Sequence, residues 1–378
     1  MIIGGAQENT LFNCLDLQRD FNDEVLLLTG PAEGPEGDLL SQGRGGELRV
    51  QVIDSLRRAI HPQRDWKAFG QLRSALAGFR PDVVHTHSAK GGILGREAAW
   101  KLHVPCVVHS VHGAPFHPYQ NRFVRAMYRW CEKRAAERCH HMICVADAMT
   151  ELMVKGGVAT RDKFTTVYSG MDVEPLRQAA GNRETMRQRL GFASDDVVVI
   201  KIARLFHLKG HADVIAAAAE VVTANPRVRF LWVGDGLLRS ELEAEIARRG
   251  LQAHFKLVGL VAPDQIPAYL GAADLLVHAS YREGLARALP QALIAGMPAI
   301  SYDIDGAREV VLPGETGSLV PAGDIAGLAR QIAILAADRE MRERQGRAGA
   351  TRFTSVFCHH AMTARIRQIY SRVLDESG

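Results

Sequence analysis

Two short stretches hold residue types that could do chemistry together. The first, residues 281–298, reads YREGLARALPQALIAGMP. Glu283 follows the apolar run LLVHAS and precedes a helical stretch. Pro290 has no N–H and is tolerated only in a helix's first turn, so the spacing predicts a helix starting near Ala286 or Arg287. The amides of Gly284, Leu285, Ala286 and Arg287 then face outward at a helix N-terminus, a ready seat for an anion. Gln291 falls in the following turn, at most about 12 Å from Glu283 at about 1.5 Å per residue. An acceptor at each end with donors between suits a sugar on a nucleoside diphosphate. The second stretch, residues 201–210, reads KIARLFHLKG and follows the first strand of the second half. Arg204 as a fork and Lys209 as a point charge can reach one diphosphate, and would stabilise charge on a departing phosphate. The plainer alternative is an exposed loop Glu, a surface Gln and two solvated cations. Glu283 beside the two cations favours the chemistry.

These residues need a scaffold. Short β-rich runs alternate with helical stretches along the chain, which marks parallel α/β sheets. The first half predicts strands at 24–29, 48–53, 82–85, 106–111, 142–145 and 164–168; the second at 197–202, 230–233, 255–258, 275–277, 299–302 and 317–320. Two doubly wound domains result, joined near residues 172–177. Residues 351–374 read as a helix with apolar positions at Met362, Ile366, Ile369, Tyr370 and Val373. It either caps its own domain or crosses back to brace the first. At the start, a glycine turn (Gly4, Gly5) feeds a helix from Ala6 to about Asp20. Only three residues precede it, against the five or six or so of a typical central strand. The expectation is a missing first strand or a start upstream of Met1.

Composition narrows the class. The 378 residues are 47% hydrophobic and 23% charged, which excludes a disordered or fibrous chain. A net charge of +4 is too small for a dedicated nucleic-acid binder, so no nucleic-acid partner is expected. No apolar run is long enough to span a bilayer and no leader is evident, which predicts a cytoplasmic protein. Six scattered cysteines form no disulfide framework. Cys139, His140, His141 and Cys144, or Cys358, His359 and His360, lack a paired zinc spacing, so no metal is expected.

The ordered motifs resemble glycosyltransferase family 4. R-x4-K-G at Arg204–Gly210, G-D-G at Gly234–Gly236, and Glu283-Gly284 with a polar residue eight positions after the Glu carry the likeness. So do Gly4-Gly5-Ala6-Gln7, His85-Thr86-His87-Ser88, Val111-His112-Gly113, Ser169-Gly170-Met171-Asp172 and Asp305-Gly306-Ala307-Arg308-Glu309. The resemblance implies a retaining enzyme of GT-B architecture, an α/β fold of two Rossmann-like domains facing across a cleft. It places an acceptor-side domain at 1–173, a nucleotide-sugar domain at 174–350 and a terminal helix at 351–378. It implies that Arg204 and Lys209 bind the donor pyrophosphate and Glu283 the hydroxyls of the transferred sugar. Gln291 stands where the family's second Glu holds the ribose, so the E-x7-E signature is E-x7-Q. His112 is implied to face the donor sugar and the Gly4-Gly5 loop the pyrophosphate. Gly284, Leu285 and Gly234 complete the implied donor site. The partners implied are a nucleotide sugar and a glycan or lipid-linked acceptor, in surface polysaccharide synthesis. No cofactor and no bound metal are expected.

Two readings stay open elsewhere. His85 and His87 either line the site or simply pack. Residues 116–138 mix Arg122, Arg125, Arg129, Lys133 and Arg134 with Phe123, Met127, Tyr128 and Trp130. They form either a helix for peripheral membrane contact or an ordinary amphipathic helix with its aromatics in the core. Rival functions are a nucleotide-sugar epimerase, which needs no acceptor, and a non-catalytic nucleotide-sugar-binding protein.

Overall fold

The computed structural model describes residues 4–32, 39–41, 43–57, 59–117 and 119–377. Residues 1–3, on which the expectation of a missing first strand turns, lie outside the described residues. The chain divides into two compact units, Met1–Met171 with Phe357–Gly378, and Asp172–Val356.

Unit 1 runs α1 (Gly5–Phe21), β1 (Leu26–Thr29), β2 (Arg49–Val52), α2 (Pro62–Phe79), β3 (Val83–His87), α3 (Ala89–Lys101), β4 (Cys106–Val111), α4 (Arg122–Ala136), β5 (His141–Cys144), α5 (Asp147–Lys155) and β6 (Phe164–Thr166). Its described strands form two parallel sheets, β1-β2 and β3-β4-β5-β6, not one. α1 serves both: Leu11 packs with Leu27, Leu39 and Leu48, while Leu17 packs with Cys106, Val108 and Ile143. Unit 2 runs α6 (Glu174–Arg177), α7 (Arg183–Leu190), β7 (Val197–Ile202), α8 (His211–Ala224), β8 (Val228–Val233), α9 (Arg239–Arg248), β9 (Phe255–Leu257), α10 (Ile266–Ala272), β10 (Leu275–His278), α11 (Ala288–Ile294), β11 (Ala299–Tyr302), β12 (Gly317–Val320), α12 (Ile325–Ala337) and α13 (Arg339–Phe353). Six parallel strands lie in the order β12-β11-β10-β7-β8-β9. Both faces are covered, so β7, β8, β10 and β11 are almost wholly buried, as their mainly apolar runs require.

The last helix is α14 (His359–Ser377). The predicted helix over 351–374 is broken: α13 ends at Phe353, and the chain re-enters unit 1 at Phe357, whose carbonyl accepts from Met171 N at 2.8 Å. Met362, Ile366, Ile369, Tyr370 and Val373 all bury against the β4 and β5 core of unit 1. Of the two readings of this helix, bracing the first domain is the one observed. A row of polar contacts fixes it to α1. The buried Asp16 carboxylate meets His359 Nδ1 at 2.7 Å, accepts from Thr363 Oγ1 at 3.0 Å and pairs with Arg19 at 2.7 Å. Further along, Asp23 pairs with Arg367 through both oxygens.

Candidate active site

In unit 2 the strand order reverses at β7. Chain order runs outward to β8 and β9 on one side, and to β10, β11 and β12 on the other. β7 and β10 are direct neighbours, with Val199 opposite Leu275 and Ile200 opposite Leu276. In an open parallel sheet, ligands bind beyond the carboxyl ends of the strands at such a switch point. The loop after β7 carries Arg204 and Lys209, and the loop after β10 carries Glu283. Sequence spacing alone joined them, and the topology supplies the reason.

The Lys209 ammonium and the Glu283 carboxylate form an ion pair, each side chain about four-fifths buried. His278 Nε2 stands 3.4 Å from the same carboxylate oxygen. Burial works against the charge on Glu283, but His278 and the Lys209 ammonium prevail and hold it well below the usual carboxylate range. Burial also lowers His278, which favours a neutral imidazole. Beneath them Lys201, 1% exposed, donates from Nζ to the Lys209 carbonyl at 2.8 Å. Burial, with Lys209 beside it, brings the Lys201 ammonium down to about 7, against the pull of Glu283 and Asp213.

The two loops are held from several sides. Gly210 has φ +60, and a Cβ there would lie 1.9 Å from the Ala279 carbonyl, so the β7 loop can rest on the β10 loop only with glycine. Gly234 plays the same part on the other flank: with φ +135, its Cβ would lie 2.1 Å from the Ala203 carbonyl. That is a backbone role, supporting the start of the Arg204 loop. Leu208, within the same loop, has φ +64 although it is not glycine, and its carbonyl accepts from Tyr281 N at 2.8 Å. A non-glycine residue in that region costs free energy that the surroundings must offset, a pattern that clusters at functional loops. Asp213, in the first turn of α8, accepts from Tyr281 and Tyr302 hydroxyls at 2.6 and 2.7 Å. Asp305 Oδ2 accepts from Glu283 N at 2.7 Å, and Gly284 O from Gly306 N at 3.3 Å. The late motif of residues 305–309 thus clamps the backbone of the Glu283 loop.

The remaining expected residues are placed as follows. Arg204 is exposed, its guanidinium 5.0 Å from the centre of the Phe206 ring, and its carbonyl accepts from His211 Nε2 at 3.0 Å. Gly284 and Leu285 lie half-buried in the bend before α11. That helix begins at Ala288 with Arg287 as its cap, a residue later than the spacing predicts, and Gln291 sits half-buried in it. In unit 1, Gly4 caps α1 and Gly5 opens it. His112 follows β4 and shares a hydrogen bond with His87 at 3.0 Å. His87 is held well below the ordinary imidazole range, by burial first and then by His85 and His112. His85, half-buried, bonds Tyr370 OH at 2.6 Å and Ser110 Oγ at 2.8 Å.

Among the described residues, Asp16, His359 and His360 are a group whose ligand-type atoms lie within 4.8 Å of one another. Arg19 pairs with Asp16 and lies 3.3 Å from the His360 ring nitrogens, so the cluster already carries its own cation. All six cysteines are free, and burial pushes the thiols of Cys14, Cys106 and Cys144 up to about 12. Lys201, His278 and Asp213 were given no role by the sequence, and Asp305 entered only as the head of a motif. A lysine inside VVVIKI and a histidine inside LLVHAS were the available signals, since each interrupts a run that should be fully buried.

Comparison with known proteins fits this geometry. Residues 182–352 match the family model for glycosyl transferases group 1, and residues 7–170 match the glycosyl transferase 4-like domain. The UDP-Gal:alpha-D-GlcNAc-diphosphoundecaprenol alpha-1,3-galactosyltransferase of Escherichia coli is 31% identical over 294 residues, covering 77% of this chain and 75% of its own length. The putative glycosyltransferase EpsD of Bacillus subtilis is 26% identical over 343 residues, covering 87% and 88%. In fold, HepE of Anabaena, crystallised with UDP, superposes with a TM-score of 0.82 at 22% identity, covering 98% of this chain and 96% of its own. These transferase relatives give the epimerase alternative no support. The chain therefore belongs to the group 1, family 4-like glycosyltransferases, enzymes of GT-B fold built from two Rossmann-like domains.

Proposed function

We propose that this transferase moves a hexose from a UDP-sugar to a lipid-linked glycan acceptor at the cytoplasmic face of a membrane. The observation that carries the donor half is the Lys209–Glu283 pair over the ends of neighbouring strands β7 and β10. The E. coli relative's name supports the uridine donor and the lipid-linked acceptor. Beside Lys209, Glu283 stays ionised although about four-fifths of its side chain is buried. On donor binding, Lys209 exchanges the carboxylate for the diphosphate, and Glu283 is released to accept from sugar hydroxyls. Arg204 adds a fork to the phosphates, the amides of Gly284 and Leu285 add donors, and Gln291 takes the ribose. His112, Gly4 and Gly5 are assigned to the donor by their motifs. The bond from the anomeric carbon to phosphate breaks, and the acceptor oxygen bonds that carbon on the same face. The acceptor's proton passes to the leaving phosphate oxygen. Arg204 and Lys209 supply the positive charge at the diphosphate, so turnover should persist in EDTA.

A melting-temperature screen with UDP, GDP and dTDP tests the donor. A ligand at about 100 times its Kd stabilises the native state by about 2.7 kcal/mol. UDP should raise Tm by several degrees and the others should not. A rise with GDP or dTDP instead overturns the uridine assignment. No rise with any of the three overturns the donor site.

A further inference from the structure

α4 carries its large apolar side chains on the side facing away from its own unit. Facing inward are Ala135, Ala136 and Glu132, the last ion-paired at 3.2 Å with Arg96, which is itself wholly buried on α3. At about 100° per residue, Phe123, Met127 and Trp130 share one stripe roughly opposite Glu132. They are 85%, 49% and 65% exposed, and Tyr119 and Val124 beside them are also exposed. Single exposed apolar residues are ordinary, but four in one run of helix, with Tyr119 in the turn before it, make a patch that marks an interaction surface. Of the two readings of this stretch, the one that puts its aromatics in the core does not fit the exposure of Phe123 and Trp130. The period of the pattern was right, and the buried Arg96–Glu132 pair decides which face turns inward.

The charges beside the stripe say what covers it. Arg122, Arg129, Lys133 and Arg134 are exposed, and residues 119–131 contain no acidic side chain. A second copy of this chain would bring that cationic band against its equal. An apolar stripe edged by cations is instead the complement of a bilayer with anionic headgroups.

We propose that α4 docks the chain on an anionic lipid bilayer, with Phe123, Met127 and Trp130 at the boundary of headgroups and acyl chains. Arg122, Arg129 and Lys133 then rest on the lipid phosphates. Asn121 fixes the entry to this helix by accepting from Phe123 N at 2.9 Å, and the segment leading into it leaves β4 at His112. The inference deepens the membrane part of the proposed function and is independent of the donor assignment.

The test is flotation of the full chain with vesicles of phosphatidylglycerol and phosphatidylethanolamine, and with phosphatidylcholine alone. Wild type should float with the anionic vesicles, less so at high salt, and hardly with phosphatidylcholine. Phe123→Ser with Trp130→Ser should lower partition by at least about tenfold. Arg122→Gln with Lys133→Gln should do likewise, sparing Arg129, whose Nε donates to the Gly156 carbonyl. Melting temperature and its shift with UDP should stay unchanged in both. Undiminished flotation of the variants, or none by wild type, overturns the docking. So does a wild-type dimer in ultracentrifugation that the Phe123→Ser, Trp130→Ser variant loses, because a second copy then covers the stripe. A wild type that fails to float yet keeps its UDP shift sinks the docking alone, and a wild type that floats without a UDP shift sinks the donor site alone.

Discussion

A lysine sealed beneath a second lysine is a costly arrangement, and Lys201 is such a residue. Its ammonium is lowered from 10.5 to about 7 by burial and by Lys209, while Glu283 and Asp213 pull the other way. An unfolded chain keeps that proton up to 10.5. Between about 7 and 10.5 the unfolded state therefore binds more protons, and stability rises with pH through that window. Below it the cost of the buried charge is fully present. Lys201→Met should raise Tm relative to wild type by several degrees at pH 6, and the gain should shrink steadily toward pH 10. Tm measured across that range checks it, and a gain that does not change with pH refutes the assignment. The same residue bears on donor binding. A diphosphate seated at Lys209 favours the charged form of Lys201, so UDP binding near pH 8 should take up protons. Titration calorimetry in buffers of different ionisation enthalpy reads this uptake directly, and in Lys201→Met it should be lost. Equal uptake by the variant would place the titrating group elsewhere.

Elements were more legible than their surroundings. Each of the twelve predicted strands has an observed counterpart; for β4, β5, β7, β8, β10 and β11 the reason is that a strand buried on both faces must be written as a short, mainly apolar run. Glu283 and Lys209 were legible for a related reason: Pro290 and the glycines flanking them fix loop and helix boundaries. Three things were not legible. The burial of Lys201 depends on what packs over β7, which its own run cannot show. Which face of α4 turns inward depends on Arg96 in another helix. The unit to which α14 belongs depends on partners over 300 residues away in sequence, such as Asp16. That last contact has a measurable consequence. Asp16→Ala leaves His359, Thr363 and Arg19 without their shared acceptor at a buried place, where an unmet partner costs about 1–3 kcal/mol. Calorimetry should show a clear fall in the melting of unit 1. An unchanged transition would mean that the apolar row of α14, from Met362 to Val373, holds the helix unaided.

Across the whole chain, two compact units trade the polypeptide twice, at Met171 and again at Val356. The two matched family segments, 7–170 and 182–352, fall one in each unit. Unit 2 holds a complete switch-point sheet, whereas the described strands of unit 1 fall into two sheets bridged by α1. Arg204, Lys209 and Glu283, the residues proposed for the diphosphate and sugar, lie in unit 2, in two loops whose backbones are locked by glycine contacts and by Asp213 and Asp305. The most direct trial is UDP release from a UDP-hexose with a lipid-linked acceptor, for wild type and Lys209→Ala, in EDTA. With folding verified by melting, loss of a cation that acts on the leaving diphosphate should cut kcat by about a hundredfold or more. Turnover within about threefold of wild type would put the departing phosphate somewhere other than the end of β7.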